Sequence, residues 1–144
     1  MKYKIPTFKA RLVRDGASVK VSDPHSASEL LCLVCTERGD REVFAVVYLD
    51  ACQNAIGVEV VGIGAGSSCA VEPRTVFRGA VIAGAAGVLV GHNHPSRNVA
   101  PSASDVEVTA KLVAAGVLLG VPLLDHVIVT DDGQSFSFLE HGLL

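Results

Sequence analysis

Gly91-His92-Asn93-His94-Pro95-Ser96, followed after Arg97–Pro101 by Ser102-Ala103-Ser104-Asp105, holds the residue types most able to do chemistry in this chain. Two histidines at i and i+2 at the end of a strand project to the same face, so their imidazoles can converge on one ion. Ser102 and Asp105 stand three apart, which in the first turn of a helix puts them on one face. The loop between is long enough to fold that turn back over the histidines. Two imidazoles and one carboxylate are the ligand set of a hydrolytic zinc site, which leaves a fourth position for water. Each half also has a plain structural reading: hydrogen-bonded histidines at a strand end, and Ser-x-x-Asp as a helix cap. Their adjacency, with Gly91 before and Pro95 after to shape the turn, favours the metal, with His92, His94 and Asp105 as ligands of Zn2+.

These residues resemble a known family. His92-x-His94, seven residues, then Ser102-x-x-Asp105 is similar to the JAMM motif of the JAB/MPN metalloproteases, and the longer string from His92 to Thr109 resembles the RadC branch. Glu42-Val43-Phe44, Gly64 nine residues before Pro73-Arg74, Leu124-Asp125-His126 and the closing Ser137–Leu144 extend the resemblance over roughly residues 9–144. It implies one RadC-like JAB/MPN domain over 1–144, a cytidine-deaminase-like architecture, and zinc-dependent hydrolysis of a peptide or isopeptide bond. Members usually carry a helix-hairpin-helix region before this domain, and none is expected here. The resemblance places a catalytic acid/base at Glu42 and gives Ser102 a hydrogen bond to the oxyanion or to the zinc water, with N-capping as the alternative.

Chemistry asks for a carboxylate of this kind, because zinc lowers the pKa of its water towards ~7 and a nearby group must take that proton and return it to the leaving amine. Glu59 on the neighbouring strand is the competitor, and a solvated charge is the plain reading for either. Asp125-His126 either orients ligands from behind or ends a strand. Two departures stand out: the family usually has His-Pro-Arg-Glu at Glu72-Pro73-Arg74-Thr75, and Gly at Arg97. Both bring new charge to loops expected beside the metal.

The elements that must position these groups follow from pattern. Thr7–Arg14 and Val19–Val21 read as short strands around Asp15-Gly16. Asp23-Pro24 caps a helix that runs to Gly39, with Leu30, Leu31 and Val34 on its apolar face. Glu42–Leu49 and Ile56–Ile63 read as a hairpin around Asp50–Ala55. Pro73 opens a helix to about Ala86, and Val88–Val90 is a short strand apolar on both faces. After a polar loop come a helix from about Ser104 to Gly116 and strands Leu123–Thr130 and Ser135–Phe138 around Asp131-Asp132-Gly133. Strands alternating with helices predict an α/β fold, a mixed β-sheet sandwiched between helices.

Composition sets the outer limits. The 144 residues are 49% hydrophobic and 19% charged, an ordinary single domain large enough to fold without a structural metal. The net charge of −3 argues against a strongly basic nucleic-acid binder. The first 20 residues nevertheless carry +5, which reads as a charge-protected edge strand or a polyanion-binding arm. The longest apolar runs, Ala80–Gly91 and Leu112–Leu124, fall short of the ~20 residues that cross a bilayer. With no apolar stretch behind the basic start, a cytoplasmic location is expected. Cys32, Cys35, Cys52 and Cys69 read as packed thiols in a reducing compartment, with a redox or zinc role for Cys32-x-x-Cys35 as the alternative.

Three rival functions remain in view. A zinc deaminase needs H-x-E before P-C-x-x-C, whereas His94 takes the Glu position and the C-x-x-C precedes the histidines. A DNA-repair-associated nucleic-acid factor lacks a basic groove or stacking aromatics. A non-catalytic, metal-retaining interaction module is the third. The expected partner is a peptide or isopeptide substrate and not a membrane; nucleic acid and a homodimer stay open.

Overall fold

The run Val43–Leu49 contains no charged residue, so it is stable only where both faces of the strand are covered. The computed structural model describes residues 16–64 and 71–144, so the Thr7–Arg14 strand, the first 15 residues of the basic arm, and Cys69 lie outside the described residues. In chain order the elements are β1 (Val19–Lys20), α1 (Pro24–Thr36), β2 (Glu42–Leu49), β3 (Asn54–Gly64), α2 (Pro73–Ala83), β4 (Gly87–Asn93), α3 (Ala103–Leu119), β5 (Leu123–Val129) and β6 (Ser135–Ser137). They form the expected α/β sandwich. The six strands lie in the order β1-β3-β2-β4-β5-β6, with β4 and β5 parallel and every other pair antiparallel.

The period of two along β2 divides the core. Val43, Ala45, Val47 and Leu49 pack with Ala27, Leu31 and Cys35 of α1, and with Leu89, Val127 and Val129. Phe44, Val46 and Tyr48 face Val76, Phe77 and Ala80 of α2 and Leu112 of α3. All eight residues of β2 and all seven of β4 are buried. Cys35 belongs to this core, where burial pushes its thiol up to about 12, so its thiolate is disfavoured at neutral pH. Cys32 beside it is half-buried.

Several boundaries differ from the sequence pattern: α1 ends at Thr36 rather than Gly39, and β3 begins at Asn54 rather than Ile56. β4 runs on past Val90 through Asn93, because Gly91, His92 and Asn93 pair with Val127, Ile128 and Val129 of β5. The parallel neighbour, which the polar letters of the segment do not reveal, keeps them in the sheet. α2 stops at Ala83, where Gly84 takes the left-handed turn, rather than at about Ala86. α3 continues through Gly116 to Leu119, and its stop is Gly120 at φ 69°. Gly116 serves close packing instead: a Cβ there would lie 2.7 Å from the Val121 carbonyl and 3.3 Å from Phe77. Among the described residues, no helix is long and apolar enough to cross a membrane.

Gly91 sets how closely α1 approaches the sheet just before the histidines. A Cβ at this position would stand 2.5 Å from Leu31 Cδ1 and 2.8 Å from the Val127 carbonyl, and the backbone carbonyl has no rotamer through which to escape. Gly91→Ala is therefore expected to destabilise the protein by about 1–3 kcal/mol, as overpacking does. Thermal denaturation should show a transition several degrees lower. An unchanged transition would mean that the α1–sheet spacing is not set at this residue.

Candidate metal centre

His92 lies inside β4, paired with Phe44 on one side and Ile128 on the other, and is 1% exposed. Its ring stacks on Phe44 at a centroid distance of 5.7 Å and 8° between planes. His94 follows just past the strand, anchored by its backbone N–H on the Val129 carbonyl at 3.0 Å. Their Nε2 atoms approach to 2.9 Å. Asp105 closes the group, with Oδ1 3.2 Å from His92 Nε2 and Oδ2 3.3 Å from His94 Nε2. Donors about 2.0–2.1 Å from a tetrahedral zinc stand roughly 3.3 Å from one another, close to the separation of each imidazole Nε2 from the carboxylate oxygen it faces, Oδ1 for His92 and Oδ2 for His94. Among the described residues, this is the group of His, Cys, Asp or Glu side chains that could hold a metal ion.

The protons behind the imidazoles can be assigned from their partners. The Thr109 hydroxyl donates to the Asp105 carbonyl at 2.6 Å, so its oxygen accepts from His126 Nδ1–H, also at 2.6 Å. Burial holds His126 well below the ordinary imidazole pKa, and it is neutral. Its Nε2 therefore accepts from His92 Nδ1–H at 2.9 Å, which leaves the lone pair of His92 Nε2 facing Asp105. His94 Nδ1–H donates to the Asn98 carbonyl at 2.6 Å, which directs its Nε2 to the same point. Phe138 stacks on His126 at 4.7 Å and fixes the plane of the ring. Of the pair Asp125-His126, only the histidine reaches a candidate ligand. Asp125 turns to the opposite side, where Ser137 Oγ–H and the Leu139 N–H donate to it at 2.6 and 3.0 Å.

A capping box presents Asp105. Ser102 Oγ accepts the Asp105 N–H at 3.1 Å, and Asp105 Oδ2 accepts the Ser102 N–H at 2.8 Å. Burial by itself would push the Asp105 carboxyl up, but the imidazoles of His92 and His94 beside it hold it well below the usual carboxylate range. Asp105 in turn raises the His94 imidazole against its partial burial, with the Asn98 carbonyl assisting. The electrostatics at this point favour a cation.

Glu42, the first residue of β2, is 8% exposed and lines a cleft of about 300 Å³ together with Asp40, His94, Pro95, Ser96, Ser102 and Asp105. The five residues singled out by the sequence are thus gathered: three donors within contact of one another, and Glu42 and Ser102 on the walls of the adjoining cleft. Glu59 is elsewhere engaged, accepting from Tyr48 Oη–H at 2.5 Å and from Arg78 at 2.8 Å. The two departures from the family pattern do not line the cleft either. Glu72 caps α2 and pairs with Arg74 at 2.6 Å. Arg97 forks onto Asp131 at 2.7 and 3.0 Å, and its φ of 62° explains why glycine is usual at this position.

Sequence reasoning gave no role to Thr109, Asn98 or Asn93, although the motif string included Asn93 and ended at Thr109. Thr109 carried a signal, being four residues beyond Asp105 on a helix and hence on its face. Asn98 acts through its carbonyl, which side-chain identity does not report. Asn93 accepts the Val43 N–H at 2.7 Å and donates to the Arg41 carbonyl at 2.9 Å, partners some fifty residues away.

A family model described as RadC-like JAB domain matches residues 21–143. A UPF0758 protein of Rubrobacter xylanophilus is 46% identical over 105 residues, 73% of this chain and 45% of the relative. One from Thermotoga maritima is also 46% identical over 105 residues, 73% of this chain and 47% of its own length. A third, from Methanosarcina mazei, is 38% identical over 125 residues, 87% of this chain and 54% of the relative. The chain spans about half the length of the curated relatives it matches. With nearly its whole described length matched, and with the His-x-His and Ser-x-x-Asp segments folded onto one point, this chain belongs to the RadC-like JAB domain family.

Proposed function

We propose that this chain is a zinc-dependent hydrolase of amide bonds, peptide or isopeptide. The observation that carries the reading is the convergence of His92 Nε2, His94 Nε2 and the Asp105 carboxylate at the foot of a cleft that Glu42 and Ser102 also line. Zinc, when bound by those three, supplies Lewis acidity that polarises a carbonyl and lowers the pKa of water towards ~7. Glu42 accepts a proton from the attacking water and returns it to the leaving nitrogen. Ser102 uses its oxygen to cap α3, so its hydroxyl proton is free to donate to the oxyanion as charge develops. His126 and the Asn98 carbonyl hold the two imidazoles in the tautomer that directs Nε2 into the site. Among the described residues, the cleft lining includes Asp40, Glu42 and Asp105 but no lysine or arginine, which favours a neutral or cationic substrate over a nucleic acid.

The purified protein is expected to hold about one equivalent of zinc by elemental analysis, and His92→Ala or Asp105→Ala to lose it. Stoichiometric metal in both variants would refute the ligand assignment. Because the two apolar clusters on either side of the sheet need no ion, EDTA should abolish hydrolysis and leave a cooperative thermal transition by circular dichroism. Loss of that transition would make the metal structural. Glu42→Gln should keep its zinc while hydrolysis falls by roughly 10²–10⁴-fold, and Ser102→Ala by about 10²–10³-fold. Glu59→Gln should leave the rate little changed. Activity indifferent to Glu42→Gln but lost in Glu59→Gln would overturn the role of Glu42.

A further inference from the structure

Asn93 stands between the two candidate histidine ligands but works on a different strand. It is 3% exposed, and both polar atoms of its carboxamide are committed to one short stretch of β2 and the turn before it. Oδ1 accepts the Val43 N–H at 2.7 Å, and Nδ2 donates to the Arg41 carbonyl at 2.9 Å. Glu42 is the residue between those two backbone groups. Backbone pairing of β2 with β4 ends at Phe44 and His92, and residues 37–41 before β2 are exposed. On its other edge Glu42 pairs with Gly64, the last residue of β3. The Asn93 side chain therefore takes the place of a peptide group and adds one more rung to the ladder, where β2 would otherwise fray.

We propose that Asn93 is a positioning residue that fixes Glu42 relative to the metal ligands; the proposal rests on the acid/base reading of Glu42 above. One tripeptide, His92-Asn93-His94, then carries two donors and the clamp for the base, so the separation of ligand and base is set by a single rigid strand end. The chemistry explains the residue type. The clamp needs one acceptor and one donor at the reach of a single methylene, which asparagine supplies. An ionised aspartate offers no donor to the Arg41 carbonyl, and glutamine places the same amide one carbon too far.

The test uses the full chain with zinc bound. Asn93→Ala should retain stoichiometric metal, because all three ligands remain. Hydrogen exchange at the Val43 amide, followed by NMR, should quicken by about tenfold as its acceptor is lost. On an amide substrate, kcat should fall about 10–100-fold with KM little changed, the signature of a misplaced group rather than lost binding. Added to Glu42→Gln, Asn93→Ala should lower kcat no further, because both act through one carboxylate. Asn93→Asp keeps the acceptor for Val43, loses the donor to Arg41, and should fall between wild type and Asn93→Ala; it also carries the test if the alanine variant does not fold.

Val43 exchange at the wild-type rate in Asn93→Ala would overturn the clamp. Faster exchange together with a further loss of kcat on the Glu42→Gln background would overturn the positioning role. If Glu42→Gln alone retained full activity, the acid/base reading would fail and take this proposal with it. The Val43 exchange rate distinguishes that failure from an absent clamp.

Discussion

A ring of contacts that begins and ends at Asp105 holds the candidate centre in shape. The carbonyl of Asp105 takes the Thr109 hydroxyl, Thr109 takes the His126 Nδ1–H, His126 takes the His92 Nδ1–H, and His92 Nε2 returns to the Asp105 carboxylate. Thr109 and His126 each have one orientation that satisfies both neighbours, so the ring planes and the His92 tautomer are set together, with the His92 Nε2 lone pair left facing the carboxylate. His126 and Thr109 are 0% and 1% exposed, which removes water as an alternative partner. In such surroundings an unpaired donor or acceptor is costly, and a fully satisfied network specifies a single arrangement.

That ring constrains the fold around it. His92 and His126 must sit on neighbouring strands facing the same side, which the parallel β4–β5 pairing provides through Val90–His126 and His92–Ile128. α3 must begin where the loop after His94 ends and must lie over that face, so that Asp105 and Thr109, one turn apart, both reach it. The opposite face is then left to α1, whose Leu31 approaches so closely that β4 needs glycine at position 91. Phe44 and Phe138 complete the walls by stacking on His92 and His126. A centre with three candidate donors among the described residues thus draws on β2, β4, β5, α3 and the segment after β6.

The open side of the centre is electrostatically different from the closed side. Behind the His92 imidazole lie buried, mutually bonded groups; in front lie Asp40, Glu42 and Ser102 around the cleft. Arg97 is paired with Asp131 and Arg74 with Glu72. The charges that distinguish this chain from the usual family pattern are paired off beside the site rather than introduced into it.

How much of this was legible beforehand differs from one residue to the next. A β-branched and aromatic run identified β2, glycine and proline marked most helix ends, and the spacing of His92, His94, Ser102 and Asp105 pointed to one chelating group, because local geometry decides which neighbours share a face. Local pattern could not show that β4 extends to Asn93, since its last residues are held by a parallel partner more than thirty positions away. Nor could it separate His126 from Asp125, which are adjacent in sequence but face opposite sides of the sheet, one toward His92 and the other toward Ser137. Glu42 and Glu59 were likewise equivalent as strand carboxylates until Tyr48 and Arg78 claimed the second. The sequence by itself determined the element types, the donor set and their order along the chain, because these depend on residue chemistry over a few positions. The tertiary structure alone decided which buried partner each polar group faces, because hydrogen bonds between strands and helices join residues whose separation along the chain carries no periodic signal.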